Sequence, residues 1–71
     1  MEQIQRLVKL FTQMEFLDII GFGNILGVEE IDPFEDYVTA ICEAFSKQPR
    51  IKKRQLLKLA KDIVKANKKL K

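Results

Sequence analysis

The sequence predicts an all-α fold, a compact bundle of three to four short helices forming one domain over residues 1–71. Three observations carry that expectation. Apolar side chains recur at helical spacing in three separate stretches. No segment alternates with period two for long enough to make a strand. Turn chemistry punctuates the chain at Gly27, Pro33 and Gln48-Pro49.

Ile4, Leu7, Val8, Phe11 and Met14 fall on one helical stripe, which predicts a first helix over residues 2–11 or a little beyond. Thr12-Gln13-Met14-Glu15 has the spacing of a capping box and predicts a second helix from residue 13 to about 26, stopped by Gly27. The competing reading is a single helix over residues 2–20. The third helix is predicted from Asp32 as cap, Pro33 at the first helical position and Glu35 at the third. Behind them Phe34, Tyr37, Val38, Ile41, Cys42 and Phe45 form one apolar stripe, with Glu35, Asp36, Thr39 and Glu43 opposite. Pro49 disfavours helical geometry in Gln48 and ends that helix. A fourth helix follows over residues 50 to about 68, with Leu56, Leu59, Ala60, Ile63, Val64 and Leu70 on one side and Arg54, Lys58, Lys61, Lys65 and Lys68 on the other. Helices three and four are expected to form an antiparallel hairpin. The predicted core is Leu7, Phe11, Leu17, Ile20, Leu26, Phe34, Val38, Ile41, Phe45, Leu56, Ala60 and Ile63.

A chain of 71 residues buries only about 60% of its unfolded surface, so it depends on efficient packing or on a second subunit. Cys42 is the only cysteine, and there is no histidine, which excludes an internal disulfide and leaves no ligand set for a tetrahedral zinc site. On the apolar stripe, Cys42 is expected to act as a small hydrophobe, and a lone thiol suits a reducing, cytoplasmic compartment. No targeting segment is recognisable, and residues 16–28, the most apolar run, are too few to span a bilayer and include Asp18 and Asn24. Opening on Met1, the sequence reads as a complete small open reading frame.

Enzyme chemistry lacks its parts. With no histidine and Ser46 as the only serine, no activated nucleophile or general base pair can be assembled, and no catalytic residue is predicted. Gly21-Phe22-Gly23 resembles part of a dinucleotide-binding turn, but position 26 is Leu26 where a third glycine is needed, and no βαβ unit surrounds it. Those glycines are better explained by close helix approach or a kink. Glu29, Glu30, Asp32, Glu35 and Asp36 lack the spacing of a calcium loop, and near a helix start they are favoured by the helix dipole. No cofactor, metal or small-molecule substrate is predicted.

Charge is distributed unevenly. Residues 1–49 carry three basic and nine acidic side chains, a net of −6, whereas residues 50–71 carry ten basic side chains and only Asp62, a net of +9. The helix dipole favours the late lysines but opposes Arg50, Lys52, Lys53 and Arg54 at the helix start. Like-charge pairs such as Arg54–Lys58, Lys61–Lys65 and Lys65–Lys69 cost about 0.2–0.5 kcal/mol each. Such a face is either relieved by the acidic half or meets an anionic partner. Arg50, Lys53, Arg54, Lys58, Lys61, Lys65 and Lys68 are therefore the candidate binding residues, and Glu29, Glu30, Glu35, Asp36 and Glu43 a candidate acidic docking patch. The basic stripe can track phosphates, but it is lysine-rich and has no aromatic residue to stack on bases. A membrane surface is disfavoured because the apolar face lacks Trp and Phe.

Asp18-Ile19-Ile20-Gly21-Phe22, Leu26-Gly27-Val28, the helix from Asp32 to Phe45, and Pro49-Arg50 with Lys53-Arg54-Gln55-Leu56-Leu57-Lys58-Leu59-Ala60-Lys61-Asp62 resemble small open reading frames of phages and mobile elements in low-GC Gram-positive bacteria. The resemblance covers most of the chain and implies a regulator, inhibitor or accessory factor acting by contact. The expected function is thus a non-enzymatic interaction module, self-associating and binding a protein partner. The alternative is a nucleic-acid-binding accessory protein that uses the basic C-terminal helix.

Overall fold

The computed structural model describes residues 2–70, without the side chains of Glu2, Lys69 and Leu70. Four helices follow one another: α1 (Glu2–Phe11), α2 (Phe16–Ile25), α3 (Phe34–Ser46) and α4 (Arg50–Leu70). No strand occurs among the described residues. The radius of gyration, 11.5 Å, is close to the roughly 11 Å expected of a globular domain of this length, so the helices pack around one core.

α1 forms where the apolar stripe predicts it, and Leu7 and Phe11 point into the core. It ends in two overlapping turns, with the Gln13 and Met14 N–H groups donating to the Leu10 and Phe11 carbonyls at 2.9 and 3.1 Å. The expected cap at Thr12 does not form. Its hydroxyl donates to the Lys9 carbonyl at 2.6 Å, so it belongs to the end of α1 and not to the start of α2. The box lies three residues later instead: Glu15 is the N-cap of α2, and its N–H donates to the Asp18 carboxylate at 3.3 Å. Residues 2–20 are therefore two helices.

α2 is apolar on nearly every side, and it buries only Ile19, Phe22 and Gly23. Phe22 meets Phe11 edge to face, with ring centroids 5.6 Å apart. Leu17, assigned to the core from sequence, lies on the opposite side of the helix and is 77% exposed. Gly27 ends α2 at φ +76°, where an L side chain would be strained. The Val28 N–H reaches the Gly23 carbonyl at 2.9 Å and the Gly27 N–H reaches the Asn24 carbonyl at 3.0 Å, a Schellman closure.

α3 is capped by Pro33, one residue later than expected. Its carbonyl accepts from the Asp36 and Tyr37 N–H groups at 3.0 and 3.3 Å, and Asp32 makes no side-chain cap. Tyr37, Ile41 and Phe45 are fully buried, while Val38 and Cys42 flank them half-buried. Phe34, also assigned to the core, is 38% exposed because it stands at the first residue of α3 and meets Phe16, at the first residue of α2, on the rim of the fold. The two rings are 5.2 Å apart, centroid to centroid.

α4 starts with the Lys53 N–H donating to the Pro49 carbonyl at 2.9 Å, and it buries Leu56, Leu57, Ala60 and Val64. Ile63 is half-buried beside that row, as are Ile20 and Leu26 elsewhere. Leu70, expected on the apolar side, has a side chain outside the described residues. The most extensive backbone contact is between α1 and α4, and the next between α1 and α3. The turn at Gln48-Pro49 thus does not make α3 and α4 the most intimate pair. The ten-residue α1 is the common neighbour of both longer helices.

The burial pattern missed from sequence is centred on Gly23. A β-carbon there would run into the Tyr37 hydroxyl, with the Tyr37 Cζ 2.9 Å and the Ile41 Cδ1 3.1 Å away. This is the close helix approach that a glycine permits, and the Tyr37 hydroxyl uses it to reach the Ile20 carbonyl at 3.3 Å. Gly21 has open space around it and serves no such purpose.

Candidate functional site

Because α1 and α4 pack closely, the polar flanks of both helices border a shared seam. On α4, Arg50, Arg54, Lys58 and Lys61 lie along one flank at successive helical turns, beside the buried Leu57. On α1, Gln3 and Arg6 face them across the seam. Together these seven residues line a groove of about 460 Å³. A second hollow of about 240 Å³ continues from it along α1, lined by Lys9, Leu10 and Gln13, and shares Arg6 and Lys61 with the first. The groove therefore has six cationic side chains along its length, Arg6, Lys9, Arg50, Arg54, Lys58 and Lys61. Among the described residues no carboxylate lines either hollow.

The electrostatics follow from that placement. From Arg50 to Lys61 the helix rises roughly 16 Å, so four cations stand in file and repel one another, and the helix dipole adds to the repulsion at Arg50 in the first turn. Arginine guanidinium groups present planar forks that suit phosphate oxygens, and lysine ammonium groups act as point charges. Gln3 and Gln13 add neutral amides. No aromatic ring lines the groove, so bases have no stacking platform there.

The structure brings together four of the seven basic residues chosen from sequence: Arg50, Arg54, Lys58 and Lys61. Lys53 is half-buried and outside the groove, whereas Lys65 and Lys68 are exposed further along α4. Sequence reasoning missed Arg6, Lys9 and the two glutamines. The signal was present as Gln3, Arg6, Leu10 and Gln13 at spacings of three and four, a row polar but for Leu10 that runs along α1 into the turn after it, but nothing in the sequence paired that row with α4.

Glu29 and Glu30 occupy the connector after α2, Glu35 and Asp36 the first turn of α3, and Glu43 its last turns; all five are exposed. None of them borders the cationic groove. Among the described residues no group of His, Cys, Asp or Glu side chains has the arrangement of a metal site. Cys42 is half-buried, and burial pushes its thiol above the ordinary value of 9.0. Likewise no helix among the described residues is long and apolar enough to cross a membrane. Comparison with protein-family models, with curated proteins and with solved structures finds no match for the chain.

Proposed function

We propose that this protein is a non-catalytic binding module whose α1–α4 groove holds the phosphate backbone of a nucleic acid. The observation that carries this reading is the convergence of six cations from two helices along one concave seam, with no described carboxylate among them. A convex lysine stripe on a lone helix is commonly just a solvated face. A groove with cationic walls on both sides concentrates potential between them and favours a chain of negative charges. The acidic residues 15–43, which would repel such a ligand, lie on α2, the connectors and α3, and none of them is among the lining. Recognition is by phosphate rather than by base, since the lining is rich in Lys and Arg and lacks aromatics. An accessory or regulatory role by contact, as the resemblance to phage open reading frames implies, fits this chemistry.

Fluorescence anisotropy with labelled DNA and RNA across a salt series tests it. Phosphate contacts from Lys9, Arg50, Arg54, Lys58 and Lys61 give log K against log salt a slope of about −4.5 on duplex, from about −0.9 per contact. Arg54→Glu with Lys58→Glu weakens binding at least tenfold, whereas Lys65→Glu with Lys68→Glu, outside the groove, weakens it far less. Absence of binding at low salt, or equal losses from the two pairs, rejects the reading.

A further inference from the structure

The chain has five phenylalanines, one tyrosine and no tryptophan, and none of these rings lines the groove. Phe11, Phe22, Tyr37 and Phe45 are buried in the core. Phe16 and Phe34, the two that reach solvent, pack on each other at the first residues of α2 and α3. What the groove offers besides cations is the aliphatic surface of Leu57 and Leu10, and one glutamine in each hollow. The Gln13 amide is turned to its own helix, donating to the Lys9 carbonyl at 3.5 Å. Such a lining has charge for phosphates and aliphatic carbon for ribose, but no platform on which a base stacks. A single strand held there by its phosphates turns its bases the other way, since ribose separates the two in every nucleotide.

We propose that this protein promotes annealing: it holds single strands by the backbone, bases outward, and complementary strands pair while bound. The inference rests on the groove reading above and adds an activity to it. Two bare strands approach slowly because both are polyanions, and the barrier is highest at low salt, where screening is weakest. A copy of net charge +3 that covers five phosphates through Lys9, Arg50, Arg54, Lys58 and Lys61 leaves that stretch at −2 instead of −5. Coated strands therefore meet against much less repulsion. A groove lined by aromatic rings would act in the opposite sense, because each base stacked on protein must be released before it pairs. The duplex product still presents phosphates to the groove, so the effect is stoichiometric in protein, and no covalent bond changes.

Two complementary oligonucleotides carrying donor and acceptor dyes report pairing by energy transfer, and anisotropy on one of them reports binding. With the strands saturated by wild type at low salt, pairing quickens about tenfold, and the gain disappears as salt rises and binding is lost. Arg54→Glu with Lys58→Glu abolishes the gain. Lys65→Glu with Lys68→Glu, the same change in net charge made outside the groove, keeps most of it. Circular dichroism checks the fold, and Arg54→Gln with Lys58→Gln serves if the glutamates disturb α4. Permanganate, which attacks unstacked thymines, reads the bases directly: a bound thymidine strand stays as reactive as a free one. Pairing that is slowed or unchanged while anisotropy shows the strands bound overturns the inference and leaves the groove reading standing. Protection of the thymines does the same. If no strand binds at low salt, the groove reading falls and takes the inference with it.

Discussion

The Asn67 side-chain amide donates to the Asp18 carboxylate at 2.6 Å, closing 49 residues of chain between the end of α4 and the start of α2. The same Asp18 oxygen also accepts the Glu15 N–H at the N-terminus of α2. One carboxylate therefore serves as a helix cap and as the tether of the last turns of the basic helix. Asn67→Ala is expected to cost about 1 kcal/mol in urea unfolding, the ordinary worth of such a bond. Asp18→Ala costs more, since the cap is lost as well. Hydrogen exchange in α4 beyond Val64 should quicken in both variants, and unchanged protection there would refute the tether.

Gly23 and Gly21, two residues apart, should respond to alanine in opposite directions. At Gly23 the new methyl meets the buried Tyr37 ring, and the loss expected from overpacking is about 1–3 kcal/mol. At Gly21 it meets nothing, and the helix gains about 0.5–1 kcal/mol. Thermal melts of both variants decide the matter. In a Tyr37→Phe background the Gly23→Ala penalty shrinks, because the hydroxyl that the methyl strikes is gone.

Tyr37 gives the fold a pH dependence at the alkaline end. Burial foremost, and then the Glu30 carboxylate, push its phenol above the ordinary 10.0. The unfolded chain therefore releases this proton at lower pH than the folded one. Stability from this source is complete below pH 10.0 and falls as pH rises past it toward the folded value. Tyr37→Phe lowers stability at neutral pH by about 1 kcal/mol through the lost bond to Ile20, and it removes that part of the alkaline decline. Urea midpoints at several pH values between neutral and strongly alkaline measure both effects.

Cys42 should be a slow thiol. It is half-buried on α3 and its pKa is raised by burial, so little thiolate is present at neutral pH. Labelling by a disulfide reagent is expected to be several-fold slower in the folded protein than in urea. Equal rates would show that the α3 stripe is open to solvent.

The helices were legible in the sequence wherever one face alone is apolar. On α3 and α4 the stripe through Tyr37, Ile41 and Phe45 and the row through Leu56 and Ala60 could be oriented by the charges opposite them. On α2 they could not. Leu17, Ile19, Ile20, Phe22, Ile25 and Leu26 surround that helix, so periodicity selects no inward side, and Leu17 was assigned to the core in place of Ile19 and Phe22. What orients α2 is tertiary: the fit of Gly23 under Tyr37. Phe34 shows a different limit, since a stripe does not reveal where the core ends along it, and its first residue lies at the rim against Phe16. The groove was half legible for the same reason. The basic bank on α4 could be read from spacing, but its opposite bank depends on α1 lying alongside, a non-local fact that no local pattern holds.

That opposite bank has a temporal meaning for a chain being synthesised. The ribosome delivers α1 before α4, with the apolar α2, the acidic connector after it and α3 between them. A nascent chain therefore exposes its negative segments well before any cationic cleft exists. On the proposed reading, phosphate capture waits until α4 has emerged and lain down against α1, because the cleft has no second bank before then.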